Sequence, residues 1–170
     1  MIFPKRLRWL ALTLVVAFLD RATKAWIESR PADYFPHVVL PGYLNIIFSR
    51  NSGIAFSFFS DPTSSKTRYL LIAGSLVIIA VIAWMLVATR HLNTLSAGGL
   101  ALLLAGATGN VTDRIVHGAV TDFLQVYVKF IPWHGLNPWP TFNVADSAVT
   151  VGAVLIILDV LFGWHHSEVA

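Results

Sequence analysis

The chain has 170 residues, 56% of them hydrophobic and 12% charged, with no cysteine and a formal net charge of +3. Soluble domains carry about a quarter charged residues, so an ordinary globular protein is excluded and the bilayer is the expected solvent. The missing cysteines remove disulfides, thiolate metal sites and a cysteine nucleophile. No basic stripe with interleaved aromatics is present, so no nucleic-acid partner is expected.

Lys5, Arg6 and Arg8 precede an apolar run from Trp9 to Leu19. The opening has the build of a signal peptide, but Asp20-Arg21-Ala22-Thr23-Lys24 follows where a small-residue cleavage site belongs. An uncleaved first transmembrane helix is the better reading. Residues 7–19 alone reach only ~20 Å of a ~30 Å hydrocarbon core, so the span is placed at 7–27 and carries Asp20 and Lys24 with it. These two stand four apart, acid first, which suits a helical ion pair.

Residues 29–68 form the longest polar interval. His37-Val38-Val39-Leu40, Pro41-Gly42 and Tyr43-Leu44-Asn45-Ile46-Ile47-Phe48 read as two short strands around a turn. Asn51-Ser52-Gly53 then permits a tight bend that aims the Asn51 amide inward. Phe56, Phe58 and Phe59 read as an interfacial aromatic patch suited to headgroups or a lipidated ligand. Glu28, Asp33 and Asp61 read as solvated.

Residues 69–89 hold no charge until Arg90 and form a second span; a third is expected at 95–115. In the third, Ala97, Ala101, Ala105, Gly109 and Asp113 recur every four residues, beside a row of Gly98, Leu102, Gly106, Asn110 and Arg114. Small residues at that spacing admit a close neighbouring helix. The face then turns polar at one end. Asp122 falls on a loosely alternating, extended segment, and 132–140 is a Pro-Trp-rich loop at the membrane surface. The fourth span, 145–163, opens with Asp146 and Ser147, and Asp159 lies at its far end.

These elements predict an all-α polytopic membrane protein, one membrane domain over 1–170, with four transmembrane helices and extracytoplasmic loops. The basic cluster before the first helix puts both termini in the cytoplasm, and segments 29–68 and 116–144 on the periplasmic side. Asp20, Asp113, Asp122 and Asp146 then gather at one outer end, with Lys24 and Arg114 as nearby cations. Ion pairing accounts for Asp20–Lys24 and can account for Asp113–Arg114, but it leaves Asp122 and Asp146 without basic partners. Two such acids sharing a proton suit general acid and general base roles in hydrolysis. A small proton-coupled transporter is the alternative, because intramembrane acids also mark proton paths. No ligand spacing supports a metal site, and no cofactor is implied.

The blocks Asp20-x-x-x-Lys24, Asn51-x-Gly53-x-Ala55-Phe56, Gly109-Asn110-x-x-Asp113-Arg114, Gly118-x-Val120-x-Asp122-Phe123 and Phe142-Asn143-x-Ala145-Asp146-Ser147 resemble, in order and over nearly the whole chain, those of the lipoprotein signal peptidase (signal peptidase II) family. The resemblance implies a bacterial inner-membrane aspartic endopeptidase with a small periplasmic β-rich cradle. Such enzymes cleave diacylglyceryl-modified prolipoproteins N-terminal to the lipidated cysteine. Carried over by block, Asp122 and Asp146 match the catalytic pair. Asn51, Gly53, Asn110, Arg114 and Asn143 match the residues lining the site, and Asp20, Lys24 and Asp113 its structural support. The implied partners are prolipoprotein substrates and membrane lipid, and a monomer is expected. Two features depart from the family pattern. Arg21 stands where glutamine is frequent, and the stretch between Phe123 and Phe142 is longer.

Overall fold

The computed structural model describes residues 3–53, 65–89, 91–128 and 137–162. The Phe56, Phe58 and Phe59 patch, Asp61 and much of the Pro-Trp-rich loop lie outside them. Helix α1 runs Phe3–Glu28, α2 Ser65–Ala88, α3 Thr94–His117 and α4 Val144–Phe162. Strands β1 (His37–Leu40), β2 (Leu44–Asn51) and β3 (Val120–Val126) form one antiparallel sheet in that order. Three helices, over Lys66–Ala88, Thr94–His117 and Val144–Phe162, are long and apolar enough to cross a membrane. Helix α1 is as long, but Arg6, Arg8, Asp20, Arg21, Lys24 and Glu28 set it apart from them.

Helix α3 is the centre of the bundle and packs against the other three. Its stripe of small residues explains why. A Cβ built on Gly106 would lie 2.4 Å from the Ala145 carbonyl oxygen, and one on Gly99 would lie 2.8 Å from that of Gly152. Helices α3 and α4 therefore meet nearly backbone to backbone, as the four-residue spacing of small residues predicts. Helix α1 joins α3 through Trp9, which sits against Gly98, and through the Thr13 hydroxyl, which donates to the Ala101 carbonyl at 3.0 Å. Ile82 and Leu86 of α2 pack on Leu100, Ala101 and Leu104 of α3. Leu14, Phe18, Val77, Trp84 and Val160 point outward and exposed, as the outer face of a bilayer bundle requires.

Each end of α3 is closed by its own sequence. Asn93 caps the start by accepting from the Ser96 N–H, and Gly118 ends it in the left-handed conformation at φ 80°. The chain then turns straight into β3. One boundary differs from expectation. Strand β2 continues through Asn51, and the bend begins only at Ser52, because β3 supplies pairing for residues 49–51 that no local pattern reveals.

Candidate active site

Antiparallel pairing sets Ser49 opposite Asp122, Arg50 opposite Thr121 and Asn51 opposite Val120. Successive strand residues face opposite sides, so Asp122 and Asn51 share one face while Thr121 and Arg50 share the other. On the first face, the Asn51 amide donates to Asp122 Oδ2 at 3.1 Å, and the Asn51 side-chain oxygen accepts from the Gly53 N–H at 3.0 Å. The expected inward aim of Asn51 is thus reached from a strand end and fixed by the bend that follows. Beyond β3 the chain returns beside it, with Phe142 bridged to Leu124, and this delivers Asn143 next to Asp122.

Asn143 and Asp146 open α4 with a reciprocal cap. The Asp146 N–H donates to Asn143 Oδ1 at 2.9 Å, while the Asn143 N–H donates to Asp146 Oδ2 at 3.1 Å. This is a capping box with aspartate in the third helical position. The other oxygen of Asp146 accepts from the Asn110 amide at 2.8 Å. Asn143, fully buried, also donates through Nδ2 to Asp122 Oδ1 at 2.8 Å. One asparagine therefore touches both carboxylates.

Beneath them lies a buried ionic layer. Lys24 is 0% exposed and bonds Asp20 at 2.8 Å and Asp113 at 2.9 Å. Its ammonium also donates to Asn110 Oδ1 at 3.2 Å, which orients that amide toward Asp146. Asp20 accepts in turn from the Ala145 N–H at 2.9 Å and so reaches the first turn of α4. Gly109 makes room for it, since a Cβ there would lie 2.4 Å from Asp20 Oδ2. A buried carboxylate without such partners would be strongly unfavourable.

Asp122, Asp146, Asn51, Asn110 and Arg114 line one cavity of about 810 Å³, together with Trp139, Phe142 and the outer side of the first turns of α4. Arg114 donates to the Gly53 carbonyl at 2.9 Å. Burial pushes the Asp122 carboxyl up from 3.8 to about 6, and the nearby charge of Asp146 adds to the rise. The Asn51 and Asn143 amides and the Lys24 charge oppose it without cancelling it. Among the described residues, no group of three or more His, Asp or Glu is placed to hold a metal ion.

The structure thus brings together every site residue expected from the sequence, and it corrects two other expectations. Asp113 pairs with Lys24 and with Arg21, not with Arg114. Consecutive residues on a helix do not face each other, and Asp113 points into the bundle while Arg114 turns to the cavity. Glu28 is not simply solvated. It pairs with Arg21 and Arg50 and accepts from the Thr121 hydroxyl at 2.8 Å, because α1 continues far enough to keep Glu28 on the bundle side. The spacing of Arg21, Lys24 and Glu28, three and then four apart, is the sequence signal that marks them as one face.

The family described as signal peptidase (SPase) II matches residues 12–162. A lipoprotein signal peptidase of Xylella fastidiosa (strain 9a5c) is 42% identical over 164 residues, covering 96% of this chain and 94% of that one. One from Pseudomonas putida is 42% identical over 154 residues, covering 91% and 86%. A solved structure, described as a bacterial membrane enzyme determined by the in meso method at 2.3 Å resolution, superposes with a TM-score of 0.78. It is 27% identical and is covered to 93%, against 96% of this chain. From sequence blocks, fold and relatives alike, the chain belongs to the signal peptidase II family.

Proposed function

We propose that this chain is an aspartic endopeptidase that removes signal peptides from diacylglyceryl-modified prolipoproteins, cleaving N-terminal to the lipidated cysteine. The observation that carries this reading is the pair Asp122 and Asp146, joined through Asn143 on the wall of one cavity. Asp146 sits at the amino end of α4, where the helix dipole favours a negative charge, and serves as the base that takes a proton from water. Asp122, whose carboxyl holds its proton up to about pH 6, serves as the acid toward the scissile carbonyl. The tetrahedral intermediate then collapses as a proton passes to the leaving amine. Arg114 and Asn51 reach the same cavity and can steady substrate carbonyls or the developing oxyanion.

Helix α1 is proposed as a fourth span. Its charged residues Asp20 and Lys24 are buried in the bundle, while Leu14, Val15 and Phe18 stay exposed on its outer face. At 26 residues it reaches ~39 Å, enough to cross. With Lys5, Arg6 and Arg8 at its start, the positive-inside rule puts the site on the periplasmic side of the inner membrane. The family assignment gives no support to a proton-coupled transporter.

Cleavage of a diacylglyceryl-prolipoprotein peptide by Asp122→Asn and Asp146→Asn enzymes in detergent tests the pair. Each variant should lose several orders of magnitude, and the double variant should fall no further, since residues acting as one unit are not additive. Asp159→Asn, at the far end of α4 beside Asn93 and Ser96, should keep near-parent turnover. A folded Asp122→Asn or Asp146→Asn enzyme with near-parent turnover refutes the aspartic mechanism.

A further inference from the structure

We propose that Thr121 is a positioning residue for Asp122, held from behind by Glu28 and Arg21 and from the cavity rim by Arg50; this rests on Asp122 acting in catalysis. Thr121 is 0% exposed, and every polar atom it has is engaged. Its hydroxyl donates to Glu28 Oε1 at 2.8 Å and accepts from Arg50 Nη1 at 2.8 Å. Its N–H donates to Asp113 Oδ2 at 3.2 Å, and its carbonyl accepts from Asn143 Nδ2 at 3.3 Å. One residue thus ties together α1, α3, β2 and the segment entering α4.

The strand's alternation gives these ties their consequence. Thr121 faces away from the cavity and Asp122 faces into it; neither Thr121 nor Glu28 lines the cavity, whereas Arg50 does, so the Thr121–Glu28 contact fixes the backbone that carries Asp122 from behind the site. Asn143 Nδ2 donates to Asp122 Oδ1 and lies within hydrogen-bond distance of both the Thr121 carbonyl and Asn110 Oδ1. A displacement of Thr121 therefore also alters the amide that links the two carboxylates. Glu28 is itself steadied by Arg21, whose other nitrogen bonds Asp113 at 3.0 Å, and by Arg50 at 3.4 Å. Simple anchoring at a membrane surface would need none of these inward contacts. Exposed ion pairs of that kind contribute little.

The test measures kcat and KM on a diacylglyceryl-prolipoprotein peptide for purified Thr121→Val, Thr121→Ser, Glu28→Ala and the Thr121→Val/Glu28→Ala double variant, each normalised to folded protein. Outer partners of metal-ligating groups typically govern about 10–100-fold in activity, and on that scale Thr121→Val should lower kcat by about 10–100-fold with KM changed by less than about twofold. Thr121→Ser, which keeps the hydroxyl, should restore most of it. Glu28→Ala should show a similar loss, and the double variant should be no worse than the poorer single, because both act through one contact. If Thr121→Val does not fold, Glu28→Ala carries the same expectation. Parent-like kcat in folded Thr121→Val or Glu28→Ala, or additive losses, overturns the proposal. Asp122→Asn in the same panel separates the two readings. An inactive Asp122→Asn beside a fully active Thr121→Val removes the positioning role alone, whereas an active Asp122→Asn removes the dyad.

Discussion

Asp122→Asn should abolish turnover while making the folded protein more stable at neutral pH. The Asp122 carboxyl is pushed from 3.8 to about 6, chiefly by burial and then by the charge of Asp146. A raised carboxyl binds its proton more tightly in the folded chain than in the unfolded one. Its contribution is favourable below pH 3.8 and is lost as pH rises through about 6. Above that, the ionised group opposes folding by about 3 kcal/mol, taking 1.36 kcal/mol for each tenfold change in proton affinity. An asparagine never pays this penalty. It cannot, however, accept from both the Asn51 and Asn143 amides, and one lost hydrogen bond offsets about 1–1.5 kcal/mol. A net gain of about 1–2 kcal/mol at pH 7.5 remains. Thermal unfolding in detergent, stepped from pH 4.5 to pH 8, measures it. The parent should lose stability between pH 4.5 and 6.5 relative to Asp122→Asn, and the curves should separate most above pH 7. In Asp146→Asn the slope should shrink without vanishing, since burial is the larger cause. Parallel curves for the parent and Asp122→Asn across this range would refute the assignment of the proton to Asp122.

Lys24→Met should be more damaging than Asp20→Asn, because one ammonium serves two carboxylates that are 2% and 1% exposed. Losses of about 3–5 against about 1–3 kcal/mol are expected in detergent unfolding. Equal losses would mean that the Lys24–Asp113 contact contributes nothing. Gly106→Ala should destabilise by about 1–3 kcal/mol, since its methyl would meet the α4 backbone. Gly74→Ala, with nothing within 4 Å, should be neutral or stabilising by up to about 1 kcal/mol. A reversed order would contradict the close α3–α4 packing. For orientation, cysteines at Asp33 and His91 in this otherwise cysteine-free chain should differ on intact spheroplasts. An impermeant thiol reagent should label Asp33→Cys and not His91→Cys, and the opposite pattern would invert the topology.

The second and third helices were legible because charge-free runs of twenty or more residues, 69–89 and 91–112, have few other uses, and the small-residue rows of α3 announced its close packing with α4. The β1–β2 hairpin was legible from its alternation around Pro41-Gly42. What was not legible depends on distance along the chain. Thr121 meets Arg50 across 71 positions and Glu28 across 93. No local period encodes a partner that far away. The end of β2 was misplaced for the same reason, since β3 rather than the local sequence extends it. Asp113–Arg114 failed for a different cause. Adjacency in sequence suggested a pair that helix geometry turns apart, and Lys24 of α1 took its place.

The opening of α4 has a consequence for motion. The first N–H groups of a helix ordinarily lack partners and exchange readily with solvent. Here the Ala145 amide is held by a carboxylate from α1 and the Asp146 amide by the side chain of Asn143. A helix terminus that would usually fray is thus held by its own cap and, at Ala145, by a second helix. Hydrogen–deuterium exchange at these two amides should therefore be slow, nearer the middle of α4 than its start. Asp20→Asn should speed Ala145 more than Asp146. Amide exchange there would report the integrity of the candidate active-site end in the absence of substrate, before any peptide bond is cut.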